Sequence, residues 1–515
     1  MKKTLSVLLV LLMVIGCFTA CGSGESAPAA NNNGGERKTK DEIVFAQATD
    51  ITTLNPIIGT QERAFSITNH MYDTLFVYDS EMQIHNSLCK SYEWVDDTHL
   101  HMDLVEGVKF HNGDPLTSED VVFMFEYRLE RGAAYKNYVS SFETDGDYGV
   151  NIVFSTPHKS LIYQMTDPCF GIIPKKYFQE HGEEYFAAHP IGSGPYKLKD
   201  FVTGDYYSLE RFDDYWGEKA KTKYLTMKVV PEASQRTIML ETGEIDAAYQ
   251  ISYIDAGKIK DNEDLQLLTC PSMKIVMFFV NCESATPINN KLVRQAIEYA
   301  MDKQAIVDSV LYGYGAPAYA IVPDSAVDYG VDEANLHEYN LDKAKALMKE
   351  AGCENGFDME IWCNEEQANT ELCTVVIDQL AKININAHML VQDANTIDAR
   401  EDAGDDFGMA LHFFSCNSGH SEYTLTNILP TGTMRNDSRF SNAEYDELVV
   451  KWLQTTDEAE HDRILKRMYE IQNEFTPVIP MYNEVKVLAA SKNLEGLQLS
   501  RIGAHEYTYA VVYED

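Results

Sequence analysis

The sequence predicts an α/β fold, because segments with the periodicity of strands and of helices alternate along it. His99–Leu104 alternates apolar and polar residues with period two, as a half-buried strand does, and Ile275–Val280 is a continuously apolar strand. Between them lies a helix that Thr117 caps and that carries acidic residues in its first turn. The apolar face of this helix repeats at helical spacing, at Val121, Val122, Phe125 and Leu129.

The rest of the chain continues the same alternation. Its predicted elements are a strand at Tyr224–Val230, a helix opened by Asn290, a helix at Leu341–Lys349 stopped by Gly352, and two late helices capped by Asn442 and by Thr455 or Thr456. With 515 residues, 45% of them hydrophobic, the chain is long enough for two or three domains, each with a sizeable core.

The first residues have the organisation of a secretory signal. Two lysines precede the apolar run Leu5–Ile15, which is too short to span a membrane. Small residues then precede Cys21, a pattern that resembles a bacterial lipobox, in which the thiol is acylated. We therefore predict a signal peptide at residues 1–20 and lipid attachment at Cys21. Cys17 is the competing position, and a secreted protein without an anchor is the alternative.

A flexible tether is predicted at residues 21–40, because they contain little apolar bulk and the run Ala29–Gly35 cannot contribute to a core. The formal charge of −38 argues against nucleic-acid partners and against adsorption to an anionic membrane surface. Together with the signal, these features indicate an extracytoplasmic body that is anchored to the cell membrane by its lipidated N-terminal cysteine.

No cofactor, metal site or catalytic group is predicted. The eight cysteines after Cys21 are scattered, without CxxC pairs or histidines at zinc-ligand spacing, and most are expected to be buried free thiols. Gly419–Tyr423 is similar to a nucleophile elbow, but Tyr423 stands where the second glycine belongs. Gly313–Ala318 is similar to a dinucleotide-binding motif, but it follows a helix and contains Pro317, so a turn is predicted. The chain is therefore not expected to be an enzyme; a lipoprotein hydrolase is the rival hypothesis.

Four blocks stand in order along the chain: Val105–Val121, which reads VEGVKFHNGDPLTSEDV, then Pro190–Tyr196, Asn281–Ala318 and Tyr445–Tyr482. They resemble the family 5 extracellular solute-binding proteins, the peptide and nickel receptors of ABC importers. The first block also predicts a strand, a turn at Asn112–Gly113 and a capped helix. The glycines of Gly192–Pro195, in the second block, predict a flexible crossing that suits a hinge between lobes.

The resemblance implies a two-lobed α/β fold of the periplasmic-binding-protein type (class II) with an additional third domain. Lobe I would comprise residues 41–79, 187–280 and 484–515, the third domain residues 80–186, and lobe II residues 281–483. The solute would bind in the cleft between the lobes, which close over it. The implied function is that of the substrate-binding component of an ABC importer, a monomer that delivers its solute to the membrane permease subunits.

The resemblance also implies how a peptide would be held. Peptide-binding relatives carry a Trp and, shortly after it, an Asp that pairs with the peptide's amine, and here Phe414 and Asn417 stand at those positions. An amide cannot supply the anion that a buried ammonium needs. Either the solute lacks a free amine, or Glu422 or Glu62 supplies the charge from another position.

Arg400 is the candidate for holding a carboxylate, with a surface ion pair to Asp398 or Glu401 as the alternative. The other positions that the resemblance places at the cleft, each with packing as its alternative role, are Thr60, Gln61, Glu62, Tyr249, Gln250, Met277, Phe279, Cys416, Tyr482 and Asn483. Peptides are the leading class of solute, ahead of a nickel complex or another small polar solute. Direct metal binding by His412 and His420 is not predicted.

Overall fold

The computed structural model describes residues 37–514 except 60, 331–335, 434 and 456. The predicted signal peptide, Cys21, most of the tether and Thr60 lie outside the described residues. In the described part, no helix is long and apolar enough to cross a membrane. From Thr39 onward the chain forms one compact unit.

Strands and helices alternate along this unit, as the sequence predicts. The strands are β1 (Glu42–Gln47), β2 (Phe76–Tyr78), β3 (Ile84–Asn86), β4 (Cys89–Asp96), β5 (His99–Leu104), β6 (Val139–Asp145), β7 (Gly149–Phe154), β8 (Tyr196–Val202), β9 (Tyr206–Arg211), β10 (Tyr224–Val229), β11 (Ala247–Tyr249), β12 (Leu265–Val280), β13 (Gly315–Pro317), β14 (Asp358–Cys363), β15 (Asn386–Val391), β16 (Met409–Ser415), β17 (Val478–Ser491), β18 (Leu494–Glu495) and β19 (Val511–Val512). The α-helices are α1 (Glu62–Met71), α2 (Ser118–Glu130), α3 (Leu161–Gln164), α4 (Lys175–His181), α5 (Glu183–Ala188), α6 (Ala233–Glu241), α7 (Tyr253–Lys260), α8 (Lys291–Ala300), α9 (Lys303–Val310), α10 (Leu341–Glu350), α11 (Gln367–Ala381), α12 (Ala394–Asp402), α13 (Glu422–Asn427), α14 (Ala443–Gln454) and α15 (Glu458–Phe475).

Most strands join one large mixed sheet in the order β15-β14-β16-β12-β17-β11-β1-β10-β9-β8, with β13 paired to β17. A separate antiparallel sheet has the order β4-β5-β7-β6, and β2–β3 and β18–β19 form short ribbons. The longest described strands, β12 with 16 residues and β17 with 14, lie next to each other at the centre of the large sheet. The two halves of the sheet are therefore joined through the pairing of β12 with β17.

One half of the large sheet, with the helices on its two faces, is lobe II. The end of β12 alternates between the two faces: Val276, Phe278 and Val280 pack in a core with α8 and α11. Ile275, Met277 and Phe279 pack in a second core with α14 and α15. Because both faces are covered, this strand is apolar at every position, as the sequence shows.

The other half of the large sheet is lobe I, and it shares a core with the four-stranded sheet. Residues such as Phe45 of β1, Met102 of β5 and Phe125 of α2 belong to one continuous apolar cluster. The opposite face of this half packs on α6 and α7. The four-stranded sheet and lobe I are therefore held together by a common core rather than by a linker.

The crossing between the lobes is marked by a bulge in β12. Pro271 pairs with Val485 and Ile275 pairs with Asn483, so the three residues Ser272–Lys274 face a single residue of β17. The end of β12, Ile275–Val280, packs in the two lobe II cores, although the sequence-based boundary at residue 280 assigns it to lobe I. We therefore place this boundary at the bulge.

The predicted helix starts agree with the structure except at α15. The backbone N–H of Thr117 donates to Asp120 in a capping box, and Asn290 and Asn442 accept the first backbone donors of α8 and α14. Thr455 instead ends α14, and the cap of α15 is Asp457, which accepts from the N–H of Glu460 at 2.8 Å. The prediction of Thr455 or Thr456 as the cap of α15 is therefore wrong, because a carboxylate two residues from Thr455 takes that role.

The hinge predicted at Gly192–Pro195 is also wrong. This segment packs against the end of α1, where the N–H of Gly194 donates to the carbonyl of Met71. A Cβ at Gly192 would lie 2.0 Å from the oxygen of Met71. The glycines are needed here for close backbone approach, not for mobility.

We expect Gly192→Ala to destabilise the protein strongly, since the added Cβ forces the backbone of Met71 to move. Overpacking of this kind costs about 1–3 kcal/mol. The matched control is Gly257→Ala in α7, where a Cβ would meet no atom within 4 Å, so its unfolding midpoint should stay equal or rise. Urea unfolding of both variants measures the difference. Equal midpoints for Gly192→Ala and the wild type would contradict the packed joint.

Acid should weaken the same joint through His111. Burial lowers the pKa of His111 from 6.5 to about 4. Its neutral ring accepts from the N–H of Gly192 and donates to the carbonyl of Gly194, which an imidazolium cannot do. A histidine with a folded pKa below its unfolded value contributes stability that is present above pH 6.5 and is lost between pH 6.5 and about 4. The loss is at most about 3 kcal/mol.

Unfolding of the wild type and of His111→Gln across this pH window measures that contribution. The wild type should lose more stability than the variant as the pH falls. If both lose the same amount, His111 is not responsible.

Candidate functional site

The two central strands carry exposed and half-buried side chains where they cross between the lobes. Thr269 and Pro271 are exposed and Lys274 and Glu484–Lys486 are half-buried, whereas residues 275–280 of β12 and 487–490 of β17 are buried. We call the exposed and half-buried positions in Thr269–Lys274 and Glu484–Lys486 the cleft floor.

The cleft floor carries charges of both signs, which pair with one another. The Nζ of Lys274 lies 3.4 Å from Oε1 of Glu484 and 4.5 Å from the centre of the Phe413 ring. Lys486 forms an ion pair with Glu62. Burial lowers the pKa of Lys274, but the carboxylates of Glu484, Glu62 and Glu366 outweigh it and hold this pKa above its ordinary value.

Sequence reasoning missed Lys274, Glu484 and Lys486. The available signal was the presence of a single charged residue inside the long apolar strand β12. A lysine at such a position needs an opening in the surrounding core, and the crossing provides one.

The start of α1 lies at the cleft floor. Gln61 is the exposed residue before the helix, and Glu62 is its first residue, with a side chain that is 47% exposed. Gly503 leaves room for Glu62, because a Cβ at Gly503 would lie 2.3 Å from the carboxylate oxygen. Of the predicted residues in this loop, the structure therefore brings Glu62 next to Lys486.

Tyr249 and Gln250 end β11 on lobe I. Tyr249 is 9% exposed and stacks on Phe45 with ring centres 5.2 Å apart. Gln250 is exposed, has a positive φ of 51°, and accepts a hydrogen bond from the N–H of Ala48 at 2.9 Å. Gln250 therefore presents a side chain that the backbone already orients, whereas Tyr249 belongs to the packed core.

On lobe II, the end of β16 meets the bulge of β12. The N–H of Cys416 donates to the carbonyl of Met273 at 2.9 Å, and the Cys416 side chain is fully buried. Phe414 is half-buried and contacts the ring of Tyr423, and Asn417, also half-buried, follows directly after Cys416. Asn417 therefore follows a residue whose backbone is hydrogen-bonded to the bulge of β12.

Glu422 lies at a different contact, between lobe II and the region around the four-stranded sheet. Its Oε1 is 3.1 Å from Nε2 of His158. In the same contact Tyr163 stacks on His420 at 3.7 Å, and the hydroxyl of Tyr78 donates to the carbonyl of Ser418. We call these contacts the side contact.

Several predicted cleft residues are core residues instead. Met277 is 0% and Phe279 is 2% exposed in the core under α14 and α15, and Tyr482 is 3% exposed in the other lobe II core. Asn483 is 4% exposed, and its side chain accepts from the N–H of Asp324. These predictions are corrected for one reason: a central strand with helices on both faces has no face left for a solute.

Arg400 does not reach the cleft floor. Its Nε lies 2.7 Å from Asp405, its NH1 donates to Gln392, and its guanidinium stacks over Trp362 at 4.1 Å. The surface ion pair foreseen as the alternative is therefore present, but with Asp405 in place of Asp398 or Glu401. The Nε of Arg400 is therefore already occupied by a carboxylate of the protein itself.

The comparisons with known proteins agree with this architecture. The profile of the bacterial extracellular solute-binding proteins, family 5 Middle, matches residues 83–436. The glutathione-binding protein GsiB of Shigella flexneri serotype 5b is 28% identical over 472 residues, covering 88% of this chain and 91% of its own length. These matches extend over both lobes and the four-stranded sheet.

Solved structures show the same fold. The substrate-binding protein CtaP of Listeria monocytogenes has a TM-score of 0.85 at 23% identity, covering 93% of this chain and all of its own. The periplasmic binding protein DppA of Helicobacter pylori, in complex with the peptide STSA, has a TM-score of 0.78 at 21% identity, covering 92% and 98% of the two chains. The two-lobed fold is thereby confirmed, and the chain belongs to the family 5 extracellular solute-binding proteins, which bind solutes and are not enzymes.

Proposed function

We propose that this protein captures a small peptide on the cleft floor and delivers it to the permease subunits of an ABC importer. The proposal rests on two ion pairs at the cleft floor, Lys274–Glu484 and Lys486–Glu62. Each pair can exchange one partner for a charged group of the solute. A zwitterionic solute can replace one partner in each ion pair, because it carries both an ammonium and a carboxylate. A neutral sugar can replace neither partner.

The named relatives support this class of solute. GsiB is a glutathione-binding protein, and the DppA structure holds a peptide. Both solutes carry at least one amine and one carboxylate, which is the chemistry that the paired charges of the cleft floor match.

Glu62 is the proposed anchor for the amine. Asn417 is neutral, and Glu422 is engaged with His158 at the side contact. Glu62 is on the floor, is half-exposed and is released from Lys486 when a carboxylate of the solute takes that lysine. The proposed polarity therefore puts the amine at Glu62 and the carboxylate at Lys486 or Lys274.

Peptide titrations by calorimetry test the amine anchor. A free-amine peptide should bind Glu62→Gln at least about tenfold more weakly than the wild type, since about 1.4 kcal/mol corresponds to tenfold in affinity. Its N-acetylated form should bind both proteins equally. The matched control is Glu422→Gln, which changes the same group at the side contact and should preserve the preference for the free amine.

Two outcomes oppose the anchor. If acetylation leaves wild-type affinity unchanged, the amine is not recognised. If Glu62→Gln keeps full discrimination while Glu422→Gln loses it, the anchor is Glu422. Asn417→Asp is the constructive variant, and an added carboxylate there should strengthen binding of free-amine peptides.

We also propose that the protein is a monomer attached to the outer side of the cell membrane by lipid on Cys21. The signal and the small residues before Cys21 support this assignment. Cys21→Ala should move the protein from the membrane fraction to the medium, and radiolabelled palmitate should no longer be incorporated. Cys17→Ala is the control and should stay bound. The reverse pattern would assign the lipid to Cys17.

A further inference from the structure

A cluster of metal-ligating side chains lies on lobe II, away from the cleft floor. The Nε2 of His412 is 2.9 Å from Oε1 of Glu401, and one ligand atom each from His412, Glu401 and Asp398 all lie within 4.8 Å of one another. Asp398 and Glu401 are three residues apart on α12 and so share a face, and His412 projects from the neighbouring strand β16. Two rigid elements therefore aim three donors at one point.

A third carboxylate interacts electrostatically with this cluster. Asp437 is influenced by the charges of His412, Glu401 and Asp398, and burial raises its pKa to about 6. Among the residues that the structure describes, the side chains of Asp398 and Asp437 have no hydrogen-bond or ion-pair partner.

The neighbouring arginines are engaged elsewhere. Arg400 pairs with Asp405 and stacks on Trp362. The NH2 of Arg439 donates to the carbonyl of Asp405 at 2.8 Å. Arg435 is the remaining cation with an electrostatic effect on Asp437. The cluster therefore keeps a surplus of negative charge that a bound dication would neutralise.

We propose that His412, Glu401 and Asp398 form a binding site for a divalent transition-metal ion of the zinc or manganese type. One imidazole with carboxylates is a donor set of that class. Two donors that each lie about 2.1 Å from zinc are at most about 4.2 Å apart, so the cluster must contract slightly. Asp398 is exposed and can rotate to close that gap.

The site differs from the metal hypothesis that the sequence suggested. His412 and His420 do not act together, since His420 lies 3.6 Å from Asp328 at the side contact. His412 instead finds its companion donors on α12. A metal here would tie α12 to β16.

Zinc titration of the untagged, chelator-stripped mature chain, in competition with a chromophoric chelator, tests the site. The wild type should bind one equivalent of zinc, and the unfolding temperature should rise with added zinc. His412→Ala should bind at least tenfold more weakly, and so should Asp398→Asn. The matched control is His85→Ala, which removes a histidine from an exposed pair with Asp79 and should leave zinc binding unchanged.

Asp398→Asn changes an exposed residue and so preserves the fold, which makes this variant decisive even if His412→Ala unfolds. The proposal is overturned if the wild type binds no zinc under these conditions. It is also overturned if Asp398→Asn and His85→Ala bind zinc as tightly as the wild type, because the ion is then held adventitiously elsewhere. Solute binding is read separately, so neither result bears on the cleft floor.

Discussion

The constraint on which this structure depends is the passage of two strands, β12 and β17, through both lobes. In lobe II the end of β12 is buried on both faces and is apolar, yet between the lobes the strands must cross solvent. Backbone pairing of β12 with β17 runs up to the bulge at Ser272–Lys274 from both sides and satisfies main-chain donors on either side of it. The side chains change from apolar to charged over the same few residues, and this change creates the cleft floor.

The bulge at Ser272–Lys274 joins the lobes by hydrogen bonds on either side. Met273 donates its N–H to Arg501 and accepts from Cys416, and the hydroxyl of Ser325 donates to the carbonyl of Ser272. Lobe I and the four-stranded sheet share one core. Relative motion of the lobes would therefore be concentrated at this crossing, and the side contact would form or break with it.

The sequence was sufficient for the fold class because its signals were local. Caps such as Thr117 and Asn290 and the alternation of His99–Leu104 depend only on neighbours in the chain. Gly192 was misinterpreted because glycine serves both mobile turns and close backbone contacts, and only the position of Met71 distinguishes the two uses. Asp457 caps α15 in place of the threonines before it, since adjacent polar residues compete for the N-cap position.

The site was harder to predict, because whether a residue lines a cleft depends on which faces of the sheet are covered by helices. The sequence of a single strand does not contain that information. The resemblance identified the strand that contains Met277 and Phe279 but not the point at which that strand leaves the core. The structure places Glu62, at the start of α1, beside a lysine of β17. The prediction that Arg400 holds a carboxylate of the solute failed because its Nε pairs with Asp405, which follows five residues later in the turn after α12.

The cleft floor also bears on how such a protein can diversify. Its side chains project from strands whose position is fixed by backbone hydrogen bonds and by cores on either side, so they contribute little to holding the lobes together. Exchanging Thr269, Lys274 or Lys486 would alter the surface offered to a solute while leaving both cores untouched. Selection can therefore change what is captured at these few positions without first having to restore folding, and one scaffold can serve solutes of quite different chemistry.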